Sequence, residues 1–265
     1  MIRGQSLVTD EAERSRRIET VPVSKRNILS LTIALMAEDG LVLAADSRAT
    51  EGYTLNGPKT TDDSIKFIQL KDDIGVLTYG FSEIGYSGIT CLREEVERYD
   101  SLTSILDKSI QLFSNTSSDW GKKNPEVKRR DKDVGFIVAG YDREGQGYKI
   151  FNSQSPEFLP QEVKSGCLMA GQWHVAKFFI NRLYARDMTV NLVRELAVFL
   201  LSATMTVEKT VGGVIRLATI TKPKGFQWIS EDEVDSIAKR NKEFYKFFQQ
   251  RFYSILLDLA GGDNQ

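Results

Sequence analysis

The sequence predicts an α+β fold, a four-layer αββα sandwich in which two antiparallel sheets are flanked by helices on both outer faces. Apolar runs of strand length alternate with segments of 3.6-residue periodicity, in the order strands, two helices, strands, two helices, strands and a helix. The strand runs are apolar on one or both faces, which is typical of sheets packed inside a sandwich. The chain has 265 residues, enough for one large domain with a substantial core.

The predicted core opens with two strands, residues 30–37 and 41–46, which are joined through Asp39-Gly40, a dipeptide typical of hairpin turns. Residues 51–63 contain Gly, Pro and Asn and are predicted to form a loop. Apolar runs bounded by turn residues predict the later strands. These strands cover residues 65–70, 74–80, 134–141, 148–153, 165–169, 212–221 and 226–229.

Helical periodicity predicts the helices of both outer layers. They cover residues 83–99, 101–113, 172–184, 190–205 and about 231–260. Ser101 stands at the N-cap position of the second helix. Residues 115–132 are polar and basic and are predicted to be a solvated loop. The last helix carries an aromatic stripe that either covers the core or faces a neighbouring subunit.

The chain divides into three parts by composition. Residues 1–29 are predicted to be a tail or propeptide, because the first 27 are charged and show no sustained apolar period. Residues 30–229 form the predicted sandwich domain, and residues 230–265 form a C-terminal helical extension.

Composition excludes several classes of partner. The net charge is −1, so the chain has no general basic field for nucleic acid or an anionic membrane. The longest apolar stretch, residues 196–205, is too short to span a bilayer, and the N-terminus has no apolar signal-peptide segment. The two cysteines, Cys91 and Cys167, do not suggest a disulfide framework. We therefore expect a reduced, cytoplasmic protein.

The chain has a single histidine, His174. A His-rich zinc site is therefore excluded, and a Ser-His-Asp triad would depend on this one residue. His174 stands at a predicted helix start, where a structural or surface role is the commoner one. Any hydrolytic chemistry is expected to use a group other than imidazole.

Residues 30–50 resemble the opening of mature proteasome β-type subunits. The most specific part is Asp-Gly-Leu-Val-Leu-Ala-Ala-Asp-Ser-Arg at residues 39–48. The resemblance continues through residues 66–70 and 74–80, is weaker around Ala170-Gly171, and returns at residues 210–220.

This resemblance implies the N-terminal-nucleophile hydrolase fold and a subunit of an oligomeric ring or barrel. The implied partners are other proteasome-type subunits, alike or different, and the implied substrate is a peptide or an unfolded protein. The family's chemistry needs no metal and no organic cofactor.

The resemblance also implies roles for individual residues. Ser30 matches the nucleophile, whose own α-amine acts as the base once it begins the mature chain. Lys66 matches the catalytic lysine, whose charge favours an ionised hydroxyl and a neutral amine. Asp46 matches the carboxylate that pairs with this lysine, and Gly80 matches a glycine whose N–H stabilises the oxyanion.

The sequence departs from the family at three points. The family's active subunits carry Gly-Thr at the self-cleavage bond, whereas this chain has Leu29-Ser30. The supporting serine and aspartate of the family are replaced by Gln172 and Glu208. Gln172 keeps hydrogen-bonding capacity, and Glu208 keeps the charge on a longer side chain.

Thr32 is an alternative nucleophile, because it has the family's residue type and lies two residues along the same strand face as Ser30. The predicted hairpin raises a further point of geometry. A two-residue turn at Asp39-Gly40 sets Asp46 opposite Ile33, so a bulge or sharp twist is expected near residues 45–47.

Three functions remain open at this stage. The first is peptide-bond hydrolysis by an N-terminal hydroxyl nucleophile within an oligomer. The second is a non-catalytic structural subunit that keeps residues 1–29, in which Asp46 and Lys66 form only a structural ion pair. The third is an amidase of the same fold that acts on small amides, because a fold alone does not determine a function.

Overall fold

A computed structural model describes residues 19–21, 30–54, 57–128 and 131–261. Its strands are numbered β1 to β13 and its helices α1 to α5 in chain order. The first large sheet has six strands in the order β1-β11-β2-β3-β12-β13, and all neighbours are antiparallel except the parallel pair β1 and β11. These strands are Glu19–Val21, Cys167–Gly171, Leu31–Met36, Gly40–Ala45, Arg216–Thr221 and Gly225–Trp228.

The second large sheet has five antiparallel strands in the order β10-β9-β8-β7-β6. These strands are Gln161–Glu162, Gly147–Gln154, Val134–Asp142, Ile74–Gly80 and Phe67–Lys71. A separate two-stranded ribbon pairs β4 (Ala49–Thr54) with β5 (Gly57–Thr61).

Helices cover the outer face of each large sheet. Helices α1 and α2 pack on the five-stranded sheet, and α3, α4 and the start of α5 lie on the six-stranded sheet. A 3₁₀ turn, Val96–Arg98, follows α1. The five helices are Ser82–Glu95, Leu102–Lys123, His174–Leu183, Val190–Val207 and Glu231–Gly261. The predicted four-layer αββα sandwich is confirmed.

Strand β2 shows why the core strands carry no apolar–polar alternation. Ile33 and Leu35 point to the layer below α3 and α4, whereas Ala34 points to the layer between the two sheets. Both layers are buried apolar clusters, so apolar residues are favoured on both faces of the strand. Helix α4 is long and apolar enough, by length and composition alone, to cross a membrane. Its apolar residues, including Val193 and Leu200, are part of the core cluster, as expected for a core helix.

The prediction of a loop at residues 51–63 is wrong for most of that segment. Strands β4 and β5 form a hairpin there, with Ala49 opposite Thr61 and Thr54 opposite Gly57. The threonines in the segment favour extended backbone, whereas Gly57 and Pro58 lie at the turn end of β5 and Gly52 lies within β4, where the register of the hairpin shifts.

The prediction of a solvated loop at residues 115–132 is also wrong in its first half. Helix α2 continues to Lys123, because its last turns have tertiary contacts. The Trp120 ring packs against Phe81 with 4.7 Å between centroids, and its Nε1–H donates to Glu83 at 2.8 Å. At the other end of α2, Ser101 is the N-cap, as predicted.

Part of the N-terminal segment belongs to a sheet. Residues Glu19–Val21, which the sequence assigns to a tail or propeptide, form β1 on the outer edge of β11. Residues 1–18 and 22–29 lie outside the described residues.

Helix α5 packs on the body through its N-terminal part. Val234 and Ile237 are buried in the core, whereas Phe244, Phe247 and Tyr253 are each more than 60% exposed. At Phe244, Phe247 and Tyr253, therefore, the aromatic stripe of the last helix does not cover the core of this subunit.

Candidate active site

The β2–β3 hairpin brings Asp46 beside the start of β2. Its register pairs Thr32 with Ala45, so Asp46 follows the ladder opposite Leu31, whose carbonyl accepts the Asp46 N–H at 3.3 Å. The predicted turn at Asp39-Gly40, which would set Asp46 opposite Ile33 and require a bulge near residues 45–47, is therefore wrong.

The reason for the shifted register is the position of Gly40. The turn residues are Glu38 and Asp39, closed by a bond from the Ala37 N–H to the Gly40 carbonyl. Gly40 belongs to β3, where a Cβ would lie 2.6 Å from the Ile220 carbonyl oxygen. This glycine serves close packing between strands rather than the turn. The ladder stays regular to Ala45, and the chain then leaves the sheet.

The Asp46 carboxylate is buried and is bonded on both oxygens. Oδ1 accepts the Leu31 N–H at 2.9 Å and the Lys66 ammonium at 2.9 Å. Oδ2 accepts the backbone N–H groups of Gly212 at 3.1 Å and Arg48 at 3.2 Å. The carboxylate thus joins the first residue of β2, the residue before β6, and the loop that leads into β12.

Lys66 completes a buried ion pair. Its side chain is 4% exposed, and its ammonium donates to Asp46 and to the Arg48 carbonyl. Burial lowers the pKa of Lys66, and the Asp46 charge opposes that shift only in part. Burial likewise raises the pKa of Asp46 against the effect of Lys66. Both shifts reflect the cost of holding charges away from water.

Ser30 enters β2 between these groups and β11. It is 5% exposed and directly precedes Leu31, whose N–H is bound to Asp46. Its carbonyl accepts the Gln172 N–H at 2.7 Å. Gly171 has φ +96°, and a Cβ there would overlap the Ser30 carbonyl. Backbone contacts on both sides therefore fix the position of Ser30.

Gly80 ends β7 with its backbone in the left-handed region, at φ +88°. Its ladder partner Val134 bonds Ser155 through both its N–H and its carbonyl. Two residues earlier, the Thr78 N–H donates to the Lys66 carbonyl at 2.8 Å. N–H groups two residues apart on a strand point to the same side, so the Gly80 N–H points to the side of Lys66.

Gln172 and Glu208, which stand where the family has its supporting serine and aspartate, differ in their hydrogen bonding to Ser30. Gln172 lies beside Ser30 through its backbone N–H. Glu208 follows α4, and the carbonyl of the next residue, Lys209, accepts the Arg48 guanidinium at 3.0 Å. Among the hydrogen bonds and ion pairs of the described residues, none joins the Glu208 carboxylate to Ser30 or to the Asp46–Lys66 pair.

Thr32 lies inside the sheet. It is fully buried and paired with Ala45 on one side and Ala170 on the other. Its hydroxyl has no hydrogen-bond partner within the described part of the chain.

Sequence reasoning gave no role to the two residues after Asp46. The Ser47 hydroxyl donates to the Asp62 carbonyl at 2.6 Å and accepts the Val214 N–H at 2.8 Å. The Arg48 guanidinium binds the Asp62 carboxylate through two N–H groups, at 2.6 and 2.9 Å, and lowers the pKa of that carboxyl. These bonds hold the loop around Gly212 against Asp46. The sequence signal that could have identified Ser47 and Arg48 was their position directly after Asp46 in the Asp-Ser-Arg motif.

The ranges that the structure describes contain no group of three or more His, Cys, Asp or Glu side chains arranged to hold a metal ion.

Comparison with known proteins gives consistent matches. The family model described as "Proteasome subunit" matches residues 30–220. The chain is 27% identical to the proteasome subunit beta of Methanosphaera stadtmanae, over 79% of this chain and 94% of that protein. It is 24% identical to the proteasome subunit beta of Methanococcus aeolicus, over 78% and 90%.

Solved structures share the fold. Anbu (ancestral beta-subunit) from Yersinia bercovieri aligns with a TM-score of 0.66 at 16% identity, covering 84% of this chain and 97% of that one. A helical assembly of the Anbu complex from Pseudomonas aeruginosa aligns with a TM-score of 0.68 at 16% identity, covering 83% and 96%.

Proposed function

Because the chain belongs to the proteasome subunit family, we propose that it is a β-type subunit that hydrolyses peptide bonds with Ser30 as its N-terminal nucleophile. It acts within an oligomeric ring or barrel of proteasome-type subunits, on peptides or unfolded chains. The name of one structural relative, a helical assembly of the Anbu complex, supports assembly of subunits with this fold.

The observation that carries the proposal is the single oxygen, Asp46 Oδ1, that binds both the Lys66 ammonium and the Leu31 N–H. It links the charged pair to the residue directly after Ser30. A buried ion pair is weak evidence for stability, because two apolar side chains often serve a core as well or better. Buried ionisable groups with shifted pKa values beside a charged partner are instead frequent at functional sites.

The proposed mechanism starts with cleavage of the Leu29–Ser30 bond, which frees the Ser30 α-amine. The amine accepts the proton of the Ser30 hydroxyl as Oγ attacks the substrate carbonyl carbon. The Lys66 charge favours the neutral amine and the developing negative charge, and the Gly80 N–H is aimed to bind the oxyanion. The protonated amine then gives its proton to the leaving nitrogen, and water hydrolyses the acyl-enzyme.

Replacing the nucleophile gives the direct test. Ser30→Ala is expected to keep residues 1–29 attached and to lower hydrolysis of fluorogenic peptides by at least about 100-fold, as loss of an enzyme's nucleophile does. The matched variant, Thr32→Val, should leave processing and hydrolysis intact. Loss of activity in Thr32→Val with activity retained in Ser30→Ala would move the nucleophile to Thr32 and contradict the proposal.

The shifted pKa of Lys66 gives a pH prediction. The mechanism needs the Lys66 cation, so kcat/KM falls as the pH rises through the Lys66 pKa, which burial places below the usual 10.5. Asp46→Asn removes the charge that raises this pKa, so the alkaline limb of the profile should move to lower pH. Asp119→Asn, at an exposed site, is the control. An alkaline limb that stays in place in Asp46→Asn would contradict the role of Lys66.

A second candidate is the non-catalytic subunit that keeps its N-terminal segment. Strand β1 favours it, because residues 19–21 are already part of the six-stranded sheet while the chain is uncut. In that case the purified protein would retain residues 1–29 and would not hydrolyse peptides, and Ser30→Ala would change neither property.

A further inference from the structure

The outer edge of β11 carries strand β1, although β1 comes from the segment that precedes Ser30. We propose that this edge is a strand-binding site, which residues 19–21 fill while residues 22–29 join them to β2, and which empties when that connection is cut. This inference concerns the N-terminal segment alone and does not depend on whether the subunit is catalytic.

The hydrogen bonds of β11 show which of its groups face the edge. Gln172 N–H donates to the Ser30 carbonyl, and Met36 N–H donates to the Gly166 carbonyl. Along an antiparallel ladder, the residues bonded to a given neighbour alternate. The even-numbered residues of β11 therefore bond to β2, and Met169 directs its N–H and carbonyl to the other side, where β1 lies.

The register assigns the partners of Met169. Thr20 is aligned with Met169 in a parallel ladder. In such a ladder a residue bonds to the residues before and after its aligned partner. The Met169 N–H therefore donates to the Glu19 carbonyl, and its carbonyl accepts the Val21 N–H.

The topology makes the connection short in space. Val21 aligns with Ala170, which in turn aligns with Thr32, so Val21 lies two strand spacings, about 10 Å, from β2. Strand β1 runs toward the end of the sheet at which Ser30 lies. Eight residues connect Val21 to Ser30 in the chain, and since one extended residue covers about 3.3 Å, this covalent length exceeds the distance to β2.

This arrangement makes binding of β1 depend on the covalent connection. A short tether holds a segment at an effective concentration on the order of millimolar, which suffices for a weak contact. Within the described residues, the ladder of β1 comprises three residues on one edge. After cleavage within 22–29 the segment has no tether, and the edge of β11 becomes free to pair with another extended peptide.

The test uses the full chain with Ser30→Ala, so that self-processing cannot interfere. The recognition sequence of a site-specific protease is inserted between Ser24 and Lys25, and amide hydrogen exchange is measured before and after cutting. We expect exchange at Met169 to accelerate at least about tenfold on cutting, with the N-terminal fragment lost on gel filtration. The Ala170 amide, which faces β2, is the internal control and should keep its protection.

A second variant tests the same bond in the uncut chain. Val21→Pro removes the N–H that binds the Met169 carbonyl and should also accelerate exchange at Met169, whereas Val21→Thr should not. The same exchange rate at Met169 in the uncut protein, the cut protein and Val21→Pro would overturn the proposal. An N-terminal fragment that stays bound after cutting would overturn it too. A dimer in which β1 comes from a second copy would overturn it as well.

Discussion

Lys66→Met is expected to lower the free energy of unfolding by about 3–5 kcal/mol, which is the usual cost of leaving one partner of a buried ion pair alone. Asp46, whose side chain has no solvent exposure, would then either hold an uncompensated charge or take up a proton, and both cost stability because burial already raises its pKa with Lys66 present. Its three backbone N–H donors, from Leu31, Arg48 and Gly212, cannot neutralise that charge. Equilibrium unfolding in urea measures the loss directly.

Two further variants separate the effect of removing a charge from the effect of that charge being buried. The double variant Lys66→Met with Asp46→Asn removes both charges and should recover at least about 1 kcal/mol of that loss, since contacting residues couple by 0.5–3 kcal/mol. Lys122→Met breaks an exposed pair with Asp119 and should cost less than about 1 kcal/mol. A double variant whose loss equals the sum of the losses in Lys66→Met and in Asp46→Asn alone would show that the pair is not energetically coupled.

Gly171→Ala is expected to destabilise the fold by about 2–5 kcal/mol and to abolish hydrolysis. The left-handed backbone of Gly171 costs an alanine about 1–2 kcal/mol. Its Cβ would also lie 1.9 Å from the Ser30 carbonyl oxygen, so β11 and β2 must separate, which adds about 1–3 kcal/mol. That separation displaces Ser30 from Asp46 and Lys66. Thermal unfolding and peptide hydrolysis report the two effects.

Gly147→Ala is the matched control. The nearest heavy atom to a Cβ at Gly147 is 3.9 Å away, in ordinary contact distance. We expect its effect on stability to stay within about 0.5 kcal/mol, with hydrolysis unchanged. If Gly171→Ala were as mild as Gly147→Ala, the close approach of β11 to Ser30 would be contradicted.

The sequence predicted the layers of the fold because their signals are local. Apolar runs such as residues 41–45 bury both faces, and the change to helical periodicity after Gly80 marks the first outer layer. The register of the first hairpin could not be predicted in the same way. Gly40 reads as a turn residue, whereas its close contact is with Ile220, far along the chain.

The candidate site was predicted in part. The pairing of Asp46 with Lys66 followed from a family resemblance, and the two side chains are bonded. The environment of Asp46 could not be predicted, because the Gly212 N–H comes from a loop that only the folded β12 brings near. Strand β1 was missed for a similar reason. Glu19–Val21 has no periodicity of its own and pairs only because β11 leaves an open edge.

The intact mass of the purified native protein, with N-terminal sequencing of any shortened form, tests the central claim most directly. We predict a chain that begins at Ser30, because only that product has the α-amine that the mechanism uses as its base. A chain that still carries residues 1–29 would contradict the proposal. Ser30 would then remain inside a peptide chain, and the non-catalytic subunit would be the correct description.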